Sequence, residues 1–292
     1  DAVNTVSITH AEEVLTPEYG EGIEDVLIKY QDKLTGILNG LDTKEFNPLT
    51  DPNIKSHFSV KSVNRRAENK IALQREFKLP RSPRSPLLAI SGRMDRQKGL
   101  DLIVESLPKL MENFDFQLVV LGGGDVNFRQ FFLNLSIDYP DRVGVHLRPS
   151  FSLPRKIFAG ADILLMPSKF EPGGIVALEA LRYGCVPLVR RTGGLNDIVE
   201  DFDPATKTGN GFSFAGVNAD DPFRAYTYQD GSATDKISSM IAAGASVYDV
   251  AELDTNIGRD DHDATAWAAS GKWSPYPQEI EGSGPMAFAY TE

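Results

Sequence analysis

The feature that most constrains this chain is a repeating alternation of short apolar runs with helical apolar patterns. Residues 87–91 (LLAIS), 116–124 (FQLVVLGGG), 142–147 (RVGVHL), 161–167 (ADILLMP) and 186–190 (VPLVR) are apolar runs bounded by Gly, Pro or charged turns. Runs of that length with little polar alternation predict strands buried on both faces. Between them, Leu100, Ile103, Val104, Leu107, Met111 and Phe114 recur at helical spacing, and 128–137, 153–159 and 175–183 read as further helices. Strand–helix alternation predicts an α/β fold: a parallel sheet with helices on both faces. A strand at 35–38, a charged surface helix over 64–77 and a Pro-rich connector at 82–86 are also expected. Ligands of open parallel sheets bind outside the carboxyl ends of the strands. The loops after 87–91 and 161–167 are therefore the places to look for function.

The second of those loops is the more informative. Residues 168–199 read SKFEPGGIVALEALRYGCVPLVRRTGGLNDIV. Glu171 and Glu179 stand eight residues apart, with a Pro-Gly-Gly turn and then a helical pattern between them. Gly173 and Gly174 let a ligand approach the backbone without a Cβ in the way. The amides of Gly174, Ile175 and Val176 open a helix, where unpaired N–H groups and the positive dipole end favour a phosphate. Glu171, just ahead of that helix, is placed to accept hydrogen bonds from sugar hydroxyls. Glu179 lies roughly 12 Å further along at about 1.5 Å per residue, so a ligand touching both must be long, as a nucleotide sugar is. The plain alternative is a capped core helix carrying two solvated glutamates.

The first loop adds cations. Residues 87–99 read LLAISGRMDRQKG, so Arg93 and Lys98 follow a buried strand and precede a helix starting near Gly99. Arg offers a planar fork for two phosphate oxygens and Lys a compact point charge. Arg96 is a bystander in this reading, and a solvated basic turn is the alternative. Gly122–Gly124 either line the same pocket or form a tight strand-to-helix turn. GGGDVN lacks the spacing of a dinucleotide fingerprint.

Composition narrows the partners. A net charge of −11 over 292 residues argues against nucleic acid, which needs a basic footprint. No apolar run reaches the ~18 residues of a membrane-spanning helix. The single cysteine, Cys185, rules out an internal disulfide framework and points to a reducing compartment. Its place between a helix and a strand predicts a buried, inert thiol. No metal site is expected. Asp201-Phe202-Asp203 has a D-x-D spacing but no third carboxylate nearby, and Asp260, Asp261, His262 and Asp263 read as a solvated acidic stretch. His10, His57, His146 and His262 form no cluster in sequence.

SGRMDRQKG, PSKFEPGGIVALEALRYG and RRTGGLNDIV together resemble the carboxyl-terminal half of bacterial glycogen synthases and plant starch synthases. TVSITHAEEVLTPEYG (5–20), LTGILNGLD (34–42) and NGFSF (210–214) extend the likeness through about residue 219. The resemblance implies a retaining GT-B glycosyltransferase with two Rossmann-like lobes facing a cleft. Such enzymes move glucose from ADP-glucose to the non-reducing end of an α-1,4-glucan. It further implies that Arg93 and Lys98 bind the donor diphosphate and that Glu171 holds glucose hydroxyls beside the reacting carbon. The amides from Gly173 through Gly174 and Ile175 to Val176 would hold glucose and the distal phosphate. Glu179 would hold the ribose, Asn39 would lie where a strand meets the cleft, and Thr192, Gly193 and Gly194 would line the cleft near glucose. No cofactor or metal is implied, Arg93, Lys98 and a helix dipole supplying the positive charge.

The departures bear on the donor. The family usually has Cys where Gly173 stands and TQL where Val176-Ala177-Leu178 stands, a variant that leans towards archaeal synthases and the wider E-x7-E transferases. The tyrosine that often stacks on adenine falls at Pro149, with Phe151 beside it, which leaves ADP against UDP open. The family's amino-terminal lobe, with its KTGGL-type motif and catalytic histidine, has no counterpart in the sequence. The expected organisation is the end of that lobe over 1–33, the nucleotide-sugar-binding lobe over 34–219 and an acidic tail over 220–292. Within the tail, residues 246–292 hold nine acids against Arg259 and Lys272, a composition that favours disorder, and 236–243 forms one helix. The chain reads as a partial enzyme, needing its missing lobe to transfer glucose efficiently. Its compartment would be a bacterial cytosol or a plastid stroma. Two other readings stay open: an E-x7-E transferase using a UDP- or GDP-sugar, and a non-catalytic module that binds nucleotide sugar or glucan.

Overall fold

A computed structural model describes residues 2–203 and 208–215, together with two short strands at 278–279 and 288–289. Six strands form one parallel sheet: β3 (Leu87–Ser91), β4 (Gln117–Leu121), β5 (Val143–His146), β6 (Ile163–Met166), β7 (Val186–Arg190) and β8 (Phe212–Phe214), in the order β5-β4-β3-β6-β7-β8. The first five lie between the turn signals that bound them in the sequence, whereas β8 is not among the expected strands. The order records one reversal. The chain runs outward from β3 through β4 to β5, returns to the middle as β6, and then runs outward the other way. β3 and β6 are paired neighbours at that reversal, so the loops that follow them meet at the switch point of the sheet.

Helices cover both faces, and the period-2 geometry of strands divides the core accordingly. On one side Leu87, Ala89, Val119, Leu121, Leu164 and Met166 pack with α6 (Leu153–Gly160), α7 (Ile175–Arg182) and α8 (Gly193–Ile198). On the other, Leu88, Ile90, Leu118, Val120, Ile163 and Leu165 pack with α4 (Leu100–Asn113) and α5 (Val126–Asp138). Buried strands therefore show no polar alternation. Cys185 is fully buried in the first of these clusters, and burial pushes its thiol up to about 12, as expected of an inert position.

Helix α3 (Arg66–Glu76) departs from expectation. Its charge pattern predicted a solvated surface, yet Arg66, Asn69, Lys70 and Gln74 are buried. The charges are used internally. Lys70 Nζ lies 2.6 Å from Asp162 Oδ2, both side chains essentially without solvent contact. The same oxygen accepts the Leu87 amide at 2.8 Å. Arg66 Nη2 donates to the carbonyls of Phe158 (3.1 Å) and Ala161 (2.7 Å), at the buried carboxyl-terminal end of α6. Charge content alone cannot tell a solvated face from a helix that pins the starts of β3 and β6.

The amino-terminal stretch folds onto the site end of the sheet. β1 (Val3–Thr5) pairs in parallel with β2 (Leu34–Gly36), apart from the main sheet. The pairing joins the two sides of the boundary expected near residue 33. Helix α1 (Ile8–Glu13) lies against α8: Asp197 Oδ2 accepts the Thr9 amide at 3.0 Å, and Thr9 Oγ1 donates to Asp197 Oδ1 at 2.5 Å. Helix α2 (Glu24–Lys29) buries none of its residues. The expected helix at 236–243 and the acidic tail lie outside the described residues, apart from β9 (Gln278–Glu279) and β10 (Phe288–Ala289), which pair antiparallel.

Candidate active site

The loop after β3 is shaped by its own short-range bonds. Asp95 accepts the Lys98 amide at 3.0 Å, closing a single turn at 96–98. Gly99 then adopts φ +65°, and a Cβ there would lie 1.9 Å from the carbonyl oxygen of Pro167. Only glycine lets this loop press against the loop after β6. Gln97 accepts the Lys169 amide at 2.8 Å and reaches the Phe170 carbonyl at 3.4 Å, while Lys169 pairs with Asp101.

Those contacts bring two of the expected residues together. Lys98 Nζ lies 2.5 Å from Glu171 Oε2, and Ser168 Oγ donates to the same oxygen at 3.2 Å. Both charged side chains keep a partial opening to solvent, 29% for Lys98 and 16% for Glu171. A ligand can thus reach them without the pair being a surface contact. Arg93 stands apart. Its guanidinium bonds its own loop, to Asp95 and at 3.1 Å to Gln97 Oε1, and its side chain is 63% exposed. Arg96, the expected bystander, forms no salt bridge among the described residues.

The Pro-Gly-Gly turn opens α7, as the sequence pattern predicted. Gly174 caps α7 at φ +61°, and the first bonded amide of this turn is that of Ala177, on the Gly174 carbonyl at 2.8 Å. The amides of Gly174, Ile175 and Val176 have no backbone acceptor among the described residues, as the opening of a helix requires. Asn39 closes one side, because a Cβ on Gly173 would come within 2.5 Å of its Nδ2.

Thr192, Gly193 and Gly194 were expected to line the cleft; the structure puts them beneath the turn instead. A Cβ on Gly193, at φ +42°, would lie 2.4 Å from the Glu171 carbonyl oxygen, and one on Gly194 would lie 2.5 Å from the Gly173 carbonyl carbon. Gly194 N–H donates to the Glu171 and Pro172 carbonyls at 3.0 and 3.1 Å. Thr192 is fully buried, its hydroxyl donating to Glu13 Oε1 at 2.9 Å, and the same oxygen accepts the Gly193 amide at 3.0 Å. Glu13 was not singled out in the sequence, where its glutamate looks like any other on a short helix.

Glu179 lies about one turn into α7 and is half-buried. Burial raises its carboxyl above the usual glutamate range, Arg155 opposes the shift, and Glu45 adds to it. Arg155 itself donates to the Glu45 carbonyl at 2.9 Å, pairs with the Glu45 carboxylate at 2.5 Å and lies over the Phe46 ring at 4.2 Å. Asp51 completes this cluster, 3.4 Å from Arg155 and accepting the Tyr183 hydroxyl. Residues 44–51 carried no motif, so only the fold brings them to Glu179.

Gly122 and Gly124 take the structural alternative. Their missing Cβ atoms would lie 2.0 Å from the Gly92 oxygen and 2.3 Å from the Met94 oxygen, which makes them the packing surface for the loop after β3. Asp201 of the D-x-D stretch accepts the Ser213 amide at 2.7 Å. Among the described residues no group of three or more His, Cys, Asp or Glu is placed to hold a metal ion, and no helix is long and apolar enough to cross a membrane.

A parallel sheet with cations, a carboxylate and a free helix start at its switch point defines a glycosyltransferase lobe. The chain belongs to the family "Glycosyl transferases group 1", whose pattern matches residues 74–225. It is 48% identical over 221 residues to a glycogen synthase of Geobacillus thermodenitrificans, covering 76% of this chain and 45% of that protein. A glycogen synthase of Kosmotoga olearia is 44% identical over 219 residues, covering 75% and 46%. Among solved structures, the catalytic domain of starch synthase IV from Arabidopsis thaliana, bound to ADP and acarbose, superposes with a TM-score of 0.69 at 31% identity, over 92% of this chain and 55% of that one. The chain spans about half the length of the curated relatives it matches.

Proposed function

We infer that this chain is the donor-binding half of a glycogen or starch synthase, transferring glucose from ADP-glucose to the non-reducing end of an α-1,4-glucan with retention. The observation that carries the reading is the Lys98–Glu171 pair at the switch point, beside a helix start with unbonded amides. It joins a cation for phosphate, an acceptor for sugar hydroxyls and a phosphate cradle within two adjoining loops. In this reading the distal phosphate takes the amides of Gly174 to Val176, where the helix dipole favours negative charge. Lys98 turns from Glu171 towards the diphosphate, and exposed Arg93 closes over it. Glu171, relieved of its counter-ion, accepts glucose hydroxyls, and Asn39 borders the sugar. Glu179 takes the ribose hydroxyls.

As the bond from glucose C1 to the phosphate oxygen breaks, its electron pair leaves with ADP. The acceptor oxygen bonds C1 on the same face and passes its proton to the departing phosphate oxygen. Charge grows on the diphosphate during that step, and prepositioned donors stabilise it without reorganising. The protein's own cations supply this charge, so the reading calls for no metal ion. The acceptor glucan and the groups that hold it belong to the other lobe of such an enzyme. Its similarity to bacterial and plant synthases fits a cytosolic or plastid setting.

The test is calorimetric titration of the chain with ADP-glucose, ADP and UDP-glucose, with Arg93→Ala as control. Selective binding of the adenine ligands, weakened in the variant, is expected. Equal or tighter binding of UDP-glucose would replace the assigned donor, and binding of none of the three would overturn the reading.

A further inference from the structure

Arg190 ends β7 directly beneath the turn that carries Glu171. It is 7% exposed, yet it has no carboxylate within salt-bridge distance among the described residues. Its guanidinium is spent on neutral oxygens. Nη1 donates to the Lys169 carbonyl at 2.8 Å and, at the limit, to the Ser168 carbonyl at 3.5 Å. Nη2 reaches the Tyr19 hydroxyl at 3.2 Å, and Nε is buried with no partner. Removing an ion from water without a counter-charge is costly, so an uncompensated guanidinium here calls for a reason.

The neighbours supply one. Ser168, whose carbonyl faces Arg190, donates its hydroxyl to Glu171 Oε2. Tyr19, which holds the other end of the guanidinium, stacks on Phe170 with ring centroids 6.3 Å apart, and His10 meets the same ring edge-on at 5.4 Å. Phe170 immediately precedes Glu171. One cation therefore grips the turn from below, while an aromatic from the amino-terminal stretch grips it from the side.

We propose that Arg190 is a positioning residue for the sugar end of the donor: anchored by Tyr19, it fixes the turn at 168–170 and, through it, the carboxylate of Glu171. This rests on the donor-site reading above. Among the described residues Arg190 bonds none of the side chains assigned to the nucleotide (Arg93, Lys98 and Glu179), so its loss should change how the site treats glucose relative to ADP. A purely structural role would weaken both ligands alike.

The experiment titrates the 292-residue chain with ADP and with ADP-glucose, as wild type and as Arg190→Met, Arg190→Lys and Tyr19→Phe. The readout is the ratio of the two Kd values. Arg190→Met should raise the ADP-glucose to ADP ratio about tenfold with the ADP Kd within twofold. Arg190→Lys, which keeps the charge and one donor, should recover part of that shift, and Tyr19→Phe should show about threefold. Wild type that binds neither ligand would sink the donor-site reading and this inference with it. Wild type that binds both, with variants that keep the ratio or lose both ligands equally, would overturn the inference alone. If Arg190→Met does not fold, Tyr19→Phe decides: an unchanged ratio refutes it.

Discussion

Replacing Gly194 by alanine tests whether the site turn is held by backbone against backbone. The new Cβ would stand 2.5, 2.7 and 2.9 Å from the carbonyl carbon, oxygen and Cα of Gly173, whereas ordinary contact begins at 3.4 Å. No flexible side chain can yield, so α8 and the 171–174 turn must separate by about 0.9 Å. Overpacking of this kind costs about 1–3 kcal/mol, or roughly 2–12 °C in Tm for a domain of this size. The displaced turn also carries Glu171 and the helix start. Loss of one charge-assisted hydrogen bond there, about 1.5–3 kcal/mol, would weaken ADP-glucose binding on the order of 10–100-fold. Gly123→Ala is the matched control, because its Cβ would meet Pro149 Cδ at 3.6 Å, an ordinary contact; stability within about 1 kcal/mol of wild type is expected. Thermal melts and calorimetry on both variants make the comparison. A Gly194→Ala protein with wild-type Tm and affinity would refute the packing argument, and equal damage from Gly123→Ala would show the effect is not specific to this turn.

Other expectations follow from the same geometry. Lys98→Ala removes the cation that faces Glu171 and should weaken ADP-glucose binding about 10–100-fold; unchanged calorimetric affinity would remove Lys98 from the site. Asp162→Asn leaves Lys70 buried without a counter-charge and should cost about 3–5 kcal/mol in urea unfolding, with Lys70→Met/Asp162→Leu costing less than the single change. Glu179 has its folded pKa raised by burial, so the folded state holds the proton more tightly than the unfolded one. Stability from this group is present below the unfolded pKa and falls as pH rises through the raised folded value. Glu179→Gln should therefore gain stability relative to wild type at pH 7 and none at pH 4; a pH-independent difference in melts would contradict the burial argument. Because the diphosphate is assigned to protein cations and amides, the affinity for ADP-glucose should be the same in EDTA as in magnesium, and a tenfold gain with magnesium would argue for a metal-assisted site.

The sheet and the chemistry-bearing loops were legible in the sequence because both depend on local signals. Continuous apolar runs mark strands buried on both faces, and Gly99, Gly173 and Gly174 occupy turns that a side chain would strain or block. Those signals sit within a few residues of the elements they specify, so the alternation of strands and helices and the loops that carry Lys98 and Glu171 could be written down in advance. What only the tertiary structure decided lies in contacts between distant segments. Charge on 66–76 reads as solvation until Asp162, some ninety residues away, arrives as the partner of Lys70. Thr192 looks like a cleft residue until Glu13 takes its hydroxyl from across the fold. Arg190 and Arg191 are indistinguishable in sequence, yet adjacent residues on a strand point to opposite faces. One of them is buried beneath the Glu171 turn; the other is exposed and reaches the Ser213 hydroxyl. A carboxylate or guanidinium has the same local pattern whether water or protein surrounds it, and its environment is set only when the chain closes around it.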